Sequence, residues 1–247
     1  MEYNELKQPV GDKLPDWKEP GRPARETLRG TFCRLEALDT DRHAASLHAA
    51  YSLDVEGRMW TYLPYGPFAS LAVYRNWMEG VCRGNDPLLH AIIDSKTDQP
   101  VGVCAYLRID PVNGSIEVGH LGYSPLLQRT PAATEAMFLM MQNAFALGYR
   151  RYEWKCHAFN TPSRAAAQRL GFSFEGLFRQ ATVVKGRNRD TAWFSIIDSE
   201  WPALKEAFLA WLSPDNFDAE GKQRQRLTAW TGALLKQRDP ALVEKVA

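Results

Sequence analysis

The stretch from Ile116 to Leu147 carries the residues whose types and order could do chemistry. It reads as strand, loop and helix. A loop that opens a helix aims unpaired backbone N–H groups, and the positive end of the helix dipole, at whatever docks there. The loop Gln128-Arg129-Thr130-Pro131-Ala132-Ala133 is small-sided where a phosphate would approach backbone, and Arg129 and Thr130 add a charge and a hydroxyl. An unspecialised turn between strand and helix would look similar, so the loop alone does not decide. Upstream, Glu117 lies between Ile116 and Val118. Loss of hydration there would make a carboxylate a stronger base; a glutamate paired structurally with an arginine is the alternative. His120 offers an imidazole that titrates near neutrality, with a packing histidine as its alternative. Strict strand alternation sets Glu117 and His120 on opposite faces, so both reach one cleft only if a bulge intervenes.

The elements that must position these residues follow from periodicity and punctuation. LRGTFCRLEAL reads as a strand, and Asp39-Thr40-Asp41 offers caps for a helix over RHAASLHAAYSL. LAVYRNWMEGVCR is a second helix, beyond an aromatic, proline-broken loop from Trp60 to Phe68. LLHAIID, QPVGVCAYLRID and SIEVGHLGYS are strands, the last entered through an Asn113-Gly114 turn. A long helix runs from Pro131 to Gly148, RRYEWKCHAF is a strand, and NTPSRAAAQRLGF is a short helix. Two strands flank a Lys185–Asp190 turn, and helices are predicted for SEWPALKEAFLAWL and AEGKQRQRLTAWTGALLKQR. The order β-α-α-β-β-β-α-β-α-β-β describes one α/β domain over residues 28–212. Residues 1–27, with Pro9, Pro15, Pro20 and Pro23, read as an extended arm anchored by Trp17, wrapping its own domain or reaching a second subunit. Residues 213–247 read as a helical extension whose stripe Leu227, Trp230, Leu234 and Leu235 needs apolar cover. Arm and stripe together predict a homodimer, with packing onto the same chain as the alternative.

As a set, the element order, the loop Gln128–Ala133, and the phrases LQRTPAATEA, EWKCHAFNTPSRAAAQRLGF and GRNRDTAWFS resemble the GNAT superfamily of acyl-CoA-dependent N-acetyltransferases. The similarity is to the branch that includes ribosomal-protein N-terminal acetyltransferases. Gln128 and Ala133 fit the superfamily's loop pattern, while Pro131 replaces its first glycine and removes an N–H. The resemblance implies a GNAT fold, a mixed and mostly antiparallel central sheet with helices on both faces. It implies transfer of an acetyl group from acetyl-CoA, as co-substrate, to a primary amine by direct attack in a ternary complex. The acceptor would be a protein N-terminus or a small-molecule amine. Succinyl-CoA or another acyl donor, and a CoA-binding module with weak turnover, remain alternatives.

By the same resemblance the pantetheine arm would pair along Leu121, Gly122 and Tyr123. The pyrophosphate would meet the segment holding Gln128, Arg129, Thr130, Ala132, Ala133 and Thr134. Glu117 lies eleven residues before Gln128, the spacing at which histone-modifying members place their base. The tyrosine that many members use as acid is replaced by Ala167. Ser163 matches the serine of the N-terminal acetyltransferase branch and would hydrogen-bond the departing sulfur, unless it caps the helix instead. Asn160 would fix the splayed strand edge or the pantetheine amide. The Trp60–Phe68 loop would wall the acceptor site, or simply pack in the core.

Composition excludes other classes. With 247 residues, 45% hydrophobic and 11% aromatic, the chain can bury a sizeable core and is not a disordered one. Thirty basic against 29 acidic side chains, a net charge of +1, give no global field toward nucleic acid or an anionic membrane. The basic residues from Lys222 to Arg238 read as a solvated face, with contact to nucleic acid or a ribosome as the alternative, and the exposed Lys185–Arg189 turn as a solvated tip, with phosphate contact as its alternative. Four dispersed cysteines without a C-x-x-C pair argue against a zinc site or a disulfide scaffold, so no metal is predicted. The N-terminus lacks an apolar signal and no window approaches the ~20 apolar residues of a membrane span, which places the chain in the cytoplasm.

Overall fold

The computed structural model describes residues 2–243. A two-stranded ribbon, β1 (Glu2–Tyr3) and β2 (Pro9–Val10), precedes the domain. There follow β3 (Leu28–Arg29), β4 (Cys33–Ala37), α1 (Thr40–Tyr51), α2 (Leu71–Cys82), β5 (Leu88–Asp94), β6 (Pro100–Asp110) and β7 (Ser115–Tyr123). The second half holds α3 (Pro131–Ala146), β8 (Arg151–His157), α4 (Thr161–Arg169), β9 (Ser173–Val184), β10 (Arg187–Ile197) and α5 (Trp201–Leu212). Eight strands form one sheet in the order β3-β4-β5-β6-β7-β8-β10-β9. Every neighbouring pair is antiparallel except β7 with β8, which is parallel. This is the mixed α/β sheet that the element order implies, with helices on both faces. On one face α3 and α5 pack through Phe138 against Phe208, ring centroids 5.5 Å apart, and on the other α1 and α2 bury Leu47, Tyr51, Tyr74 and Met78.

Local signals explain the elements. Asp39 caps α1 by accepting from Arg42 N, and Thr130 caps α3 ahead of Pro131. Gly148 and Gly171 take φ of +97° and +93° just past α3 and α4, where a side chain would be strained. Lys185 and Gly186, both at positive φ, close the β9–β10 hairpin as a two-residue turn. The hairpin is thus tighter than the predicted Lys185–Asp190 turn, and Arg187 to Asp190 belong to β10. The strand predicted from Leu28 is broken at Gly30–Phe32, where the N–H groups of Thr31, Phe32 and Cys33 all donate to the carboxylate of Glu135 on α3, at 2.6–2.8 Å. A Cβ at Gly30 would overlap that carboxylate.

Both terminal segments turn back on their own chain. Trp17 lies on Gly114 with the Arg150 guanidinium 5.8 Å from its ring, and Arg25 donates to the carbonyls of Cys82 and Gly84. The helix predicted over 219–238 is a correction: one turn, α6 (Thr228–Thr231), is all that forms within it. Gly221 at φ +77° and the buried Asn216, which bonds Trp211 O, Gln225 O and Gln225 N, hold that stretch in loops instead. Leu227 is buried, and Trp230 and Leu234 lie on the same core as α5, so three of the four stripe residues find apolar cover within the chain. A last turn, α7 (Pro240–Val243), follows Asp239, whose carboxylate pairs with the buried Arg164 of α4 at 2.6 and 2.7 Å.

Candidate active site

The parallel pairing of β7 with β8 runs from Ser115↔Arg151 to Val118↔Trp154 and then stops, although the strands continue to Tyr123 and His157. Past that point the two strands splay. On its other edge β7 pairs Gly119 with Ala105 and Gly122 with Val103, so His120 and Leu121 together face Cys104. This is a bulge, and its left-handed residue is His120 itself at φ +50°, rather than either neighbouring glycine. The extra residue resets the alternation. Glu117 and His120 consequently line the same cleft, of about 660 Å³, together with Leu121, Asn160 and Ser163.

Two segments roof the cleft. Met59, Tyr62, Leu63 and Pro64 come from the loop after α1, and Phe178, Thr182, Val184, Arg189 and Trp193 come from the β9–β10 hairpin. Lys185 Nζ donates to the carbonyls of Trp60 (2.8 Å) and Gly66 (2.9 Å), joining hairpin to loop. The basic turn is thus no mere solvated tip: its lysine clamps the roof, and Arg189 lines the cavity. The aromatic loop both packs in the core and lines the cleft. Trp60 is buried edge-on to Tyr51 and Phe68, whereas Tyr62 faces the cleft beside His157.

Electrostatics dominate the floor. Glu117, 3% exposed, accepts from Arg108 Nε (2.7 Å) and Nη2 (3.1 Å), and its Oε2 meets Lys155 Nζ at 2.9 Å. The arginine pairing weighed for this residue is present, with a lysine added, and three of the roughly four acceptor sites of the carboxylate are taken. Lys155 also reaches Glu153 at 2.7 Å and lies 3.7 Å from the centre of the Trp193 ring. Glu153 in turn pairs with Arg151, and Arg151 with Glu175. His120 Nδ1 is 3.0 Å from Tyr65 Oη, with the rings stacked, and burial followed by the Arg108 charge holds its pKa below the usual histidine range. Burial and Arg189 do the same to His157. The Cys156 thiol, also in the cleft, is pushed up to about 11 by burial. Asn160, not Ser163, caps α4, its Oδ1 accepting from Ser163 N at 3.2 Å. Ser163 Oγ accepts from Trp154 Nε1 at 3.1 Å, which leaves its own proton to give.

Where β7 ends, Gly122 and Tyr123 lead out of the cleft to the loop before α3. Gln128 Nε2 donates back to Tyr123 O at 2.8 Å, and Arg129 is exposed at φ +63°. Thr130 Oγ1 accepts from Ala133 N and donates to Leu127 O. Ala132, Ala133 and Thr134 are buried in the first turn of α3, and the Thr134 hydroxyl accepts from Arg169 Nη2 at 3.1 Å. Arg108, Lys155 and Trp193 were not found by sequence reasoning, and Arg189 entered only as part of the basic turn. A usable signal existed for Lys155, since Arg151, Glu153 and Lys155 alternate as a charged face in a strand that is otherwise apolar. Among the described residues no cluster of His, Cys, Asp or Glu is arranged to hold a metal ion, and no helix is long and apolar enough to cross a membrane.

The profile of the acetyltransferase (GNAT) domain family matches residues 33–173, more than half of the chain. The chain belongs to the GNAT acetyltransferase family. Among solved structures, this GNAT chain is similar to a GCN5-related N-acetyltransferase from Brucella melitensis, with 49% identity, a TM-score of 0.87, and coverage of 89% of this chain and all of that one. The "uncharacterized N-acetyltransferase p20" of Bacillus licheniformis is 29% identical over 181 residues, 68% of this chain and 99% of the relative. The ribosomal-protein-serine acetyltransferase of Escherichia coli K12 is 31% identical over 112 residues, 42% of this GNAT chain and 59% of the relative. As a member of this family the protein is an acetyltransferase.

Proposed function

We propose that the protein transfers an acetyl group from acetyl-CoA to a primary amine by direct attack within the cleft. The observation that carries this reading is the bulge at His120, which brings His120, Glu117 and Ser163 into one cavity at the mouth of the β7–β8 splay. The loop and first turn of α3 would hold the pyrophosphate through backbone N–H groups and Arg129, and Leu121 to Tyr123 would pair with the pantetheine amides. His120, kept neutral by its surroundings, takes the proton that the attacking amine must lose. Glu117 holds Arg108 and Lys155 in place and has one acceptor site left for the incoming amine. The backbone at Leu121, turned by the bulge, polarises the thioester carbonyl. Ser163, its oxygen already accepting from Trp154, returns a proton to the leaving thiolate. Cys156 stays a thiol at neutral pH and is a poor nucleophile, which favours direct attack over an acyl-enzyme.

The E. coli relative is named for acting on the serine of a ribosomal protein, and the open, aromatic-walled cleft suits a peptide N-terminus as well as a small amine. Incubating the protein with acetyl-CoA and a panel of amines and N-terminal peptides, with thiol release and product mass as readouts, tests the reading. Acetylated product with equimolar free CoA is expected. Hydrolysis alone, or no thiol release with any acceptor, overturns it.

A further inference from the structure

The charges in and beneath the cleft do not all cancel. Arg108, Glu117, Lys155, Glu153, Arg151 and Glu175 form one chain of contacts in which cation and anion alternate. That set is neutral. Arg189 stands outside it. Among the described residues it has no carboxylate partner, and the nearest acid in sequence, Asp190, is turned to Gln180 N (2.7 Å) and Asn188 Nδ2 (3.0 Å). Its Nε is buried without a hydrogen-bond partner, and so is Nε1 of Trp193. Both side chains come from β10, and both line the cleft. Among the described residues, these are the two unpartnered buried polar atoms of the cleft lining, and both are donors. A half-buried guanidinium whose Nε is shut off from water without an acceptor is costly unless something that is both anionic and rich in acceptors completes it. A carboxylate fits on both counts, because it accepts from guanidinium and indole donors alike while cancelling the charge.

We infer that Arg189 and Trp193 form a carboxylate-binding subsite, so that one of the two substrates of this acetyltransferase carries a carboxylate. This rests on the acyl-transfer reading of the cleft. The carboxylate has two possible sources, the amine acceptor or the far end of the acyl group, and each is an arm of the test.

In the first arm, acetyl-CoA is paired with 5-aminovalerate or its neutral amide. In the second, succinyl-CoA or butyryl-CoA is paired with that amide. The carboxylate-bearing member of one pair is expected to show at least about tenfold higher kcat/KM, the scale of a charge-assisted bidentate contact. Arg189→Gln should erase the preference, and Arg189→Lys, which keeps the charge but loses the fork, should restore part of it. Arg187→Gln, exposed and away from the cleft lining, should leave the preference intact. Calorimetry with glutarate against glutaramide gives a readout that needs no turnover. Glutarate should bind the wild type and not Arg189→Gln. Glutarate binding with no thiol release from any pair would keep the subsite and sink the acyl-transfer reading. No glutarate binding to the wild type, with no preference in either arm, overturns the subsite whether or not the enzyme turns over.

Discussion

Along β7 and the loop after it, the proposed site passes from side chains to backbone. Around Glu117 and His120 the side chains of the cleft arrive from β6, β7, β8, α4, β10 and the loop after α1, and several are placed by a partner on another element: Arg108 and Lys155 on Glu117, Tyr65 on His120, Trp154 on Ser163. Around Gln128 to Thr134 the groups are consecutive in sequence, and under the proposed reading what they offer a ligand is the backbone N–H groups left over once those of Gln128, Thr130 and Ala133 have donated within the loop. The contrast concerns what a mutation can reach. A buried ion pair is lost with one residue, whereas a peptide N–H survives nearly any side-chain change except proline.

Glu117→Gln should therefore do the most damage. It leaves Lys155, 6% exposed at its side chain, short of one of its two acids and releases Arg108. We expect kcat/KM to fall by ~10²-fold or more, and stability to drop by roughly 3 kcal/mol, the scale for breaking a buried pair. Kinetics and thermal unfolding on the same sample read both. A loss of activity with an unchanged Tm would make Glu117 the proton acceptor rather than the anchor of two cations.

His120→Gln comes next, with an expected loss of about 10² in kcat/KM and little change in Tm. For the wild type, the neutral imidazole is the active form. With its pKa held below the usual 6.5, activity should persist at pH 6.5 and fall only as pH drops through the lowered value. An acid limb centred above 6.5, or one that persists in the variant, would remove His120 from the role. The profile must be separated from unfolding. Burial pushes His90 in β5 down to about 4. The unfolded chain thus binds the proton first, and the fold loses up to roughly 3 kcal/mol as pH falls from 6.5 to 4. His90→Leu should flatten the stability limb without moving the activity limb.

Thr130→Ala is the smallest case. Losing the cap of α3 should cost about 1 kcal/mol of stability and only a few-fold in CoA affinity by calorimetry, because the N–H groups remain. A hundredfold loss would show that the hydroxyl, not the backbone, holds the ligand, and the contrast drawn above would fail.

The same contrast governs what could be read in advance. The loop was legible because its residues adjoin: Gln128, Thr130 and Ala133 stand within six positions, flanked by a strand and a capped helix. Glu117, His120 and Ser163 are candidates by residue type and position, and alternation states a bulge as the condition for the first two to share a side. What could not be read was the company they keep. Arg108, Arg189 and Trp193 reach the cleft only because β6 and β10 flank the β7–β8 pair in space, an order that no local pattern encodes. The failed helix over 219–238 has a related cause. Its apolar spacing was real, but Leu227 and Trp230 satisfy it from a single turn, and contacts from Asn216 outweigh propensity.

The carboxylate of Glu135 closes a bend that lies 102 to 104 positions earlier in the chain. For heredity this means the two places cannot drift apart. A lineage that inserts one residue between Gly30 and Cys33 carries three amides away from their acceptor, and a lineage that replaces Glu135 strands the same three. Gly30 is fixed from outside, since any larger residue collides with that carboxylate. Descendants of this chain should therefore either keep Gly30, the length of the bend and Glu135 together, or abandon all three in one step.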